Sequence, residues 1–173
     1  MKVIIGEGFI GGMLARLIPD AIQTTRRPRV LDGRWPYDMT EGGSLPDVEV
    51  AFLCAGVNGS LSCARDPQGS YRTNVDGTVR VAEHYRGKAF LVWLSSTTVE
   101  WSSDDYGTQK RMAESILRQM PHVGIVRAGR VTTGNVRDLC RKMIEVGEAK
   151  IPGVHLWGED EKPYEQTSHL KVA

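Results

Sequence analysis

Short apolar segments alternate with helical patterns along the chain, and this alternation limits the possible folds more than any other feature. The apolar segments are K-V-I-I at 2–5, Ala21 to Thr25, V-E-V-A-F-L-C-A-G at 48–56, A-F-L-V-W-L at 89–94 and V-G-I-V-R at 123–127. Each has the length and composition of a buried strand. Helices are predicted at 11–18, about 68–86, 106–119 and 135–147. Strands that alternate with helices in this way predict an α/β fold, a doubly wound parallel sheet with helices on both faces.

The chain length predicts one domain. The 173 residues can bury a sizeable core, and no linker divides them, so residues 1–173 are assigned to a single domain. Residues 26–46 are rich in Arg, Pro, Gly and Asp and hold at most one short strand. Residues 151–173 are weakly patterned.

Composition and charge exclude several classes of partner. The formal net charge of +1 gives no electrostatic reason to bind nucleic acid or an anionic membrane. No apolar run is long enough to span a bilayer, and the chain starts M-K-V-I-I-G without a secretory pattern. The three cysteines have no C-x-x-C spacing and suit a reducing cytoplasm. The four histidines are scattered, so no metal site is predicted.

The stretch G-E-G-F-I-G at 6–11 lies between the first strand and the first helix. In that position a G-x-G-x-x-G pattern indicates dinucleotide binding. Gly6 permits the tight turn, Gly8 the approach of a pyrophosphate, and Gly11 close packing of helix on strand. The alternative is a bare glycine turn without a ligand, and Glu7 counts against phosphate binding because its carboxylate is negative.

Arginines follow the second strand, at Arg26 and Arg27. Folds that prefer NAD usually carry Asp or Glu at this distance from the glycines. A guanidinium there favours a 2′-phosphate instead, because it offers charge and parallel donors. The cofactor predicted is therefore NADP, with NAD as the alternative. The competing interpretation is that both arginines are solvated on the surface. Of Arg26 and Arg27, we favour Arg26 as the residue that contacts the cofactor, because successive side chains at a strand end diverge.

The order of several motifs resembles that of the extended short-chain dehydrogenase/reductase family, the NAD(P)-dependent epimerases, dehydratases and reductases of nucleotide sugars. The motifs are G-E-G-F-I-G, Asp38-Met39, C-A-G at 54–56, N-V-D-G-T at 74–78, L-S-S-T-T-V at 94–99, Y-G-T-Q-K at 106–110 and R-A-G-R-V-T-T-G at 127–134. The resemblance implies a Rossmann-like fold. It also implies cofactor contacts from Phe9, Ile10, Asp38, Met39, Cys54, Ala55, Gly56 and Asn74, besides the glycines and arginines.

The resemblance also assigns a catalytic trio. Tyr106 and Lys110 are four residues apart and share one face of a helix. A free tyrosine, with a pKa near 10, is a poor base, and a neighbouring ammonium is expected to lower that pKa. In the family the tyrosine is the acid or base, the lysine is its electrostatic partner and also holds the cofactor, and Ser96 orients the substrate oxygen. Thr97 is the nearest substitute for Ser96. The alternative is an ordinary solvated helix start.

The sequence departs from the family at two places. Thr97 and Thr98 stand where the dehydratases carry an Asp-Glu pair, and neither is a useful acid or base, so a dehydratase is not expected. The segment I-P-G-V-H-L-W-G-E-D and the stretch T-S-H-L-K-V-A at 167–173 resemble the part that just precedes the family's C-terminal substrate lobe. Residues 151–173 are therefore expected to be a remnant that leads toward this lobe, most of which is missing. We therefore expect an open substrate cleft.

Two functions follow. The first is an NADP-dependent oxidoreductase, a reductase or epimerase acting on a sugar-nucleotide or a related small-molecule carbonyl. The alternative is a non-catalytic NAD(P)-binding module, or a subunit without its own substrate lobe. The family resemblance further implies a homodimer that pairs through the helices at 68–86 and 106–119. The candidate contact residues are Val75, Val79, Ala82, Met112, Ile116 and Leu117.

Overall fold

The computed structural model of the protein describes residues 1–27 and 33–158. Within these ranges the strands are β1 Lys2–Ile5, β2 Ile22–Thr25, β3 Trp35–Pro36, β4 Val50–Leu53, β5 Phe90–Ser96, β6 Val123–Ala128 and β7 Gly153–Trp157. The helices are α1 Phe9–Leu17, α2 Ser60–Arg65, α3 Pro67–Tyr71, α4 Thr78–His84, α5 Asp105–Leu117 and α6 Val136–Ala149. A π-helical segment, Arg72–Gly77, joins α3 to α4, and a 3₁₀ turn, Thr97–Glu100, follows β5.

All seven strands form one parallel sheet, in the order β3-β2-β1-β4-β5-β6-β7. The chain starts in the middle at β1, moves outward to β3, and then crosses back over β1 to build the other half from β4. This is the doubly wound, Rossmann-like arrangement that the sequence predicted. In such a sheet the order reverses between β1 and β4, and ligands bind beyond the carboxyl ends of the strands there.

Two hydrophobic clusters cover the two faces of the sheet. Successive strand residues point to opposite faces, so Val3 and Ile5 join one cluster while Ile4 joins the other. Helices α4 and α5 cover the first face through residues such as Ala82 and Leu117. Helices α1 and α6 cover the second face; their contributors include Leu14, Leu139, Met143 and Val146.

The structure corrects several predicted boundaries. The helix expected at about 68–86 is three consecutive pieces, because the π-helical segment interrupts it. The segment 60–65, where no helix was predicted, is helix α2, and the strand expected at 48–56 is regular only over Val50–Leu53. Strand β7 was not predicted from the sequence. It contains one histidine and one tryptophan, and none of its residues is fully buried, so it lacks the apolar run of a central strand. The T-S-H-L-K-V-A stretch at 167–173 lies outside the described residues.

Candidate functional site

The glycine turn between β1 and α1 has the geometry that its sequence predicted. Gly6 has a φ of +122°, and a Cβ there would lie 2.8 Å from the backbone nitrogen of Ala55. A Cβ on Gly11 would clash with the carbonyl oxygen of Gly6. Gly8, which caps the N-terminus of α1, would meet nothing within 4 Å. Two glycines are therefore required by packing, and the third leaves a backbone surface open to a ligand.

Glu7 does not leave an unbalanced charge in this turn. Its carboxylate pairs with the guanidinium of Arg34 at 2.5 Å, with both side chains partly exposed. The sequence analysis had counted Glu7 against phosphate binding, and it did not connect Glu7 with Arg34 because 27 residues separate them. The ion pair removes most of that objection, since the negative charge is compensated locally.

A continuous cleft runs along the carboxyl ends of the central strands and consists of two adjoining pockets. The first, named here the tyrosine pocket, has a volume of about 370 Å³ and includes Tyr106 and Lys110. The second, named the arginine pocket, has a volume of about 290 Å³ and includes Arg26 and Asp38. The two pockets share Gly8, Cys54, Ala55, Gly56 and Val57. The glycine turn and the end of β4 therefore form the divide between them.

The arginine pocket brings together most of the residues predicted to bind the adenosine end of a cofactor. Arg26 lies in its wall and is exposed, but Arg27 does not line it. Arg26 is therefore in position to contact a ligand in this pocket, while the predicted contact from Arg27 has no support from the pocket lining and stays a prediction. The carboxylate of Asp38 accepts hydrogen bonds from the backbone and hydroxyl of Thr40, at 2.7 and 2.6 Å.

Electrostatics in the arginine pocket favour an ionised Asp38. The hydrogen bond from the Thr40 hydroxyl is the main cause that lowers the pKa of this carboxyl, and the charge of Arg26 contributes. Met39 lines the pocket while its side chain packs in the first core cluster. Thr24, Tyr37 and Thr73 also line the pocket, although the sequence analysis did not single them out.

Helix α5 positions the tyrosine pocket's catalytic candidates. Asp104 caps its N-terminus by accepting a hydrogen bond from the backbone of Gly107 at 2.7 Å, and the Ser60 hydroxyl donates a short hydrogen bond to the same carboxylate. Tyr106 and Lys110 then follow on one face of the helix, and both line the pocket. Ser96, at the end of β5, lines it as well and forms a side-chain hydrogen bond with Tyr106.

The pKa values of the pair differ from the sequence-based expectation. Burial is the largest cause that raises the pKa of Tyr106, to about 12, although the hydrogen bond with Ser96 lowers it. Burial lowers the pKa of Lys110 to about 8. The expectation that the ammonium lowers the tyrosine pKa is therefore wrong for the protein alone. The reason is burial of the phenol, which outweighs the influence of Lys110, whose Nζ lies 5.9 Å from the centre of the Tyr106 ring.

Lys110 is held by groups that the sequence analysis missed. Its Nζ donates a hydrogen bond to the backbone oxygen of Leu94 at 2.9 Å and lies 4.8 Å from the ring centre of the buried Trp93. The indole face attracts the ammonium and offsets part of the cost of its burial. A signal was present in the sequence, because Trp93 and Leu94 immediately precede the serines at the end of the same strand.

The structure also separates the two candidate hydroxyl residues after β5. Thr97 is buried and does not line the cleft, whereas Ser96 does. Ser96 is therefore the residue in position to contact a substrate oxygen. Asn58, Gly129 and Val131 line the tyrosine pocket too. The sequence analysis did not select them, although each follows the end of a strand at the side where ligands bind.

Asn74 occupies a different place from the one predicted. It is buried and lines neither pocket. Its side-chain oxygen accepts a hydrogen bond from the backbone nitrogen of Val57 at 2.8 Å, and its nitrogen donates to the Val57 oxygen at 2.9 Å. Asn74 therefore holds the loop that divides the pockets from behind, and its contact with a cofactor stays a prediction.

A buried ion pair lies behind the end of β5. Glu114 on α5 is almost fully buried and forms a short ion pair with Arg127 on β6. The same carboxylate accepts a hydrogen bond from the Ser95 hydroxyl at 3.0 Å. Arg127 also pairs with Glu100 at 2.5 Å. These contacts tie α5 to the two strands, β5 and β6, whose ends form the floor of the tyrosine pocket.

The fold is similar to that of several solved structures. No protein-family model and no curated protein matches the sequence. A hypothetical dTDP-4-dehydrorhamnose reductase from Sulfolobus tokodaii superposes with a TM-score of 0.75 at 17% identity, over 92% of this chain and 77% of that one. The protein MoeE5, in complex with UDP-glucose and NAD, gives 0.75 at 17% identity, over 92% and 75%.

A dTDP-4-dehydrorhamnose reductase from Bacillus anthracis, in complex with NADP, gives a TM-score of 0.72 at 17% identity, over 91% of this chain and 74% of that one. Identities at this level establish the fold, and the expectation of the Rossmann-like class is confirmed. In residues 1–27 and 33–158, no helix is long and apolar enough to cross a membrane.

Proposed function

We propose that the protein is an NADP-dependent oxidoreductase of the sugar-nucleotide epimerase/reductase type, which reduces a keto-sugar or a similar carbonyl with Tyr106 as the acid. The observation that supports this best is the single cleft, which joins the glycine turn and Arg26 to Ser96, Tyr106 and Lys110. The structural neighbours include complexes with NADP, NADPH, NAD, UDP-glucose and UDP. They support the general class of ligand.

The residues of the cleft fit a dinucleotide. The turn is closed by two glycines that tolerate no Cβ, while Gly8 leaves the backbone at the start of α1 open. That helix N-terminus offers N–H groups and a partial positive charge to a pyrophosphate. Arg26 is exposed in the arginine pocket and can pair with a 2′-phosphate. Phe9 and Ile10 contribute to the tyrosine pocket on the other side.

The chemistry assigned to the protein's own groups is proton transfer. The bound nicotinamide supplies the hydride. Ser96 hydrogen-bonds the carbonyl oxygen of the substrate and orients it toward Tyr106. The phenol of Tyr106, whose pKa burial raises to about 12, is neutral at physiological pH and donates its proton to that oxygen. Lys110 then stabilises the phenolate, and the carbonyl becomes an alcohol without accumulating charge on oxygen.

Two further proposals concern assembly and location. We propose a homodimer that pairs through α5 and its neighbour α4, because Met112 and Ile116 are exposed on α5. Val75, Ala82 and Leu117 are buried in the protomer's own core and do not support the contact. We also assign the protein to the cytoplasm, which its free cysteines Cys54, Cys63 and Cys140 support.

Cofactor titration followed by turnover tests the proposed function. NADPH and NADH are titrated against the protein by fluorescence, and nucleotide-linked keto-sugars are then screened for NADPH oxidation. We expect tighter binding of NADPH than of NADH, and a ratio that falls about tenfold or more in Arg26→Ala, since one charge-assisted hydrogen bond contributes about 1.5–3 kcal/mol. Arg27→Ala is the matched control and should leave the ratio unchanged.

Turnover should fall by about 10²–10⁴ in Tyr106→Phe while NADPH binding persists. Equal turnover in Tyr106→Phe and the parent would refute the assignment of Tyr106. Binding of NADPH without turnover of any carbonyl would favour the alternative, a non-catalytic NAD(P)-binding module. Failure to bind either cofactor would exclude both.

A further inference from the structure

Gln109 is a buried polar residue that the proposed chemistry leaves unused. It directly precedes Lys110 on α5, has only 4% of its surface exposed, and lines neither the tyrosine pocket nor the arginine pocket. Its side-chain nitrogen donates a hydrogen bond to the Ser70 hydroxyl at 2.8 Å and a longer one to the Pro67 oxygen at 3.4 Å. Both donor contacts go to α3, so the side-chain oxygen is directed elsewhere.

That oxygen accepts a hydrogen bond from the side-chain nitrogen of Asn74 at 2.8 Å. Asn74 belongs to the π-helical segment, a type of irregularity that is frequent at functional sites. The amide of Asn74 makes both of its contacts with Val57 only in one orientation, with its oxygen toward the Val57 N–H and its nitrogen toward the Val57 oxygen. The acceptor on Gln109 selects that orientation, because an Asn74 oxygen facing Gln109 would meet another oxygen.

Val57 lies where this orientation matters. It lines both pockets, and Gly56 beside it packs so closely that an added Cβ would lie 3.1 Å from the Asn74 oxygen. An unbroken series of hydrogen bonds therefore runs from Ser70 through Gln109 and Asn74 to the backbone at the divide of the cleft. The same helix that carries Tyr106 and Lys110 carries Gln109.

We propose that Gln109 is a positioning residue, which holds Asn74 on Val57 and thereby fixes the backbone between the two pockets for the dinucleotide. This inference rests on the proposed function, because it assumes that the cleft binds the cofactor. The competing explanation is that Gln109 only joins α5 to α3. A purely structural contact would change stability but would not act on cofactor affinity through Asn74.

A double-mutant cycle on NADPH binding separates these explanations. The parent, Gln109→Leu, Asn74→Ala and the double variant are titrated with NADPH by fluorescence, and their stabilities are measured by urea unfolding. Gln109→Leu removes the acceptor that orients Asn74, so we expect affinity for NADPH to fall about threefold to tenfold. In the Asn74→Ala background the same substitution should change affinity by less than about twofold. Ser115→Ala, on the outer side of the same helix, is the control and should bind NADPH as the parent does.

A smaller substitution tests the same proposal if Gln109→Leu does not fold. Ser70→Ala removes one partner of Gln109 on α3, and should weaken NADPH binding by about twofold or more in the parent but not in the Asn74→Ala background. Equal losses of affinity in both backgrounds, or lower stability with unchanged affinity, would overturn the positioning role. A parent that binds neither NADPH nor NADH would instead refute the proposed function, so the two failures are distinguishable.

Discussion

Replacement of Lys110 by methionine should make the protein more stable and, at the same time, weaker in function. Burial lowers the pKa of this lysine from 10.5 to about 8. A difference of that size corresponds to about 3 kcal/mol by which the folded protein disfavours the ammonium at neutral pH. Methionine keeps the length of the side chain without the charge, but leaves the Leu94 oxygen without its partner, which costs about 1 kcal/mol. The expected gain in the free energy of unfolding at pH 7 is therefore about 2 kcal/mol.

The pH dependence of this gain follows from the two pKa values. Below pH 8 the lysine is protonated in both the folded and the unfolded protein, and the full penalty of burial applies. Between pH 8 and 10.5 the folded protein releases the proton while the unfolded chain keeps it, so the stability of the parent rises by about 1.4 kcal/mol per pH unit. The methionine variant lacks this contribution, and its advantage should shrink and disappear over the same window.

Urea unfolding of both proteins between pH 7 and pH 10 measures this directly, since other titrating groups are common to both. Lys88→Met, at an exposed position, should leave stability unchanged at every pH. NADPH affinity should fall only in Lys110→Met, because Lys110 lines the tyrosine pocket. A methionine variant that is less stable than the parent, or an advantage that stays constant across the pH range, would refute the electrostatic reasoning.

Two other substitutions test the packing of α5. Glu114→Gln should lower the free energy of unfolding by about 3 kcal/mol, because it removes the buried carboxylate that pairs with the largely buried Arg127. Glu83→Gln, in an exposed ion pair, is the control, and equal effects of the two in urea unfolding would contradict the prediction. Met112→Asp should convert the proposed homodimer to a monomer of half the mass in analytical ultracentrifugation, since a carboxylate opposes burial of this exposed face. A parent protein that is monomeric at micromolar concentration would exclude the dimer.

The central strands and the glycine turn were predictable because their signals are local. A short run such as V-A-F-L in β4 is apolar on both faces, and its burial on both sides of a parallel sheet requires that composition. Gly6 and Gly11 are demanded by contacts within the turn and with the adjacent strand. By contrast, β7 is an edge strand with partly exposed residues, and the π-helical segment leaves the helical pattern of 68–86 almost unchanged, so neither was predicted.

The candidate site was predictable to the extent that its residues belong to short motifs. The structure brings Ser96, Tyr106 and Lys110 into the same pocket. This was predictable because local sequence determines both where β5 ends and which residues share one face of α5. The pairings that support them depend on distant residues: Arg34 with Glu7, Gln109 with Asn74, and Lys110 with Leu94 are 27, 35 and 16 residues apart. Such contacts arise only when the chain folds. For the same reason, the shift in the Tyr106 pKa reflects burial that no spacing reveals.

The opposite pKa shifts of Tyr106 and Lys110 define the pH range in which the protein can carry out the proposed reduction. Reduction needs a phenol that still carries its proton and a charged lysine, and both conditions hold below about pH 8. Above that pH, Lys110 loses the charge that would stabilise the phenolate formed in the reaction. The rate of reduction should therefore fall above about pH 8.

Initial rates of NADPH oxidation by the carbonyl test this between pH 6 and 9. We expect the rate to decline above pH 8 as Lys110 loses its charge. The decline should be absent in Lys110→Arg, whose guanidinium stays protonated in this range, even if its overall rate is lower. A parent rate that stays constant from pH 7 to pH 9, or an equal decline in Lys110→Arg, would contradict this role of Lys110.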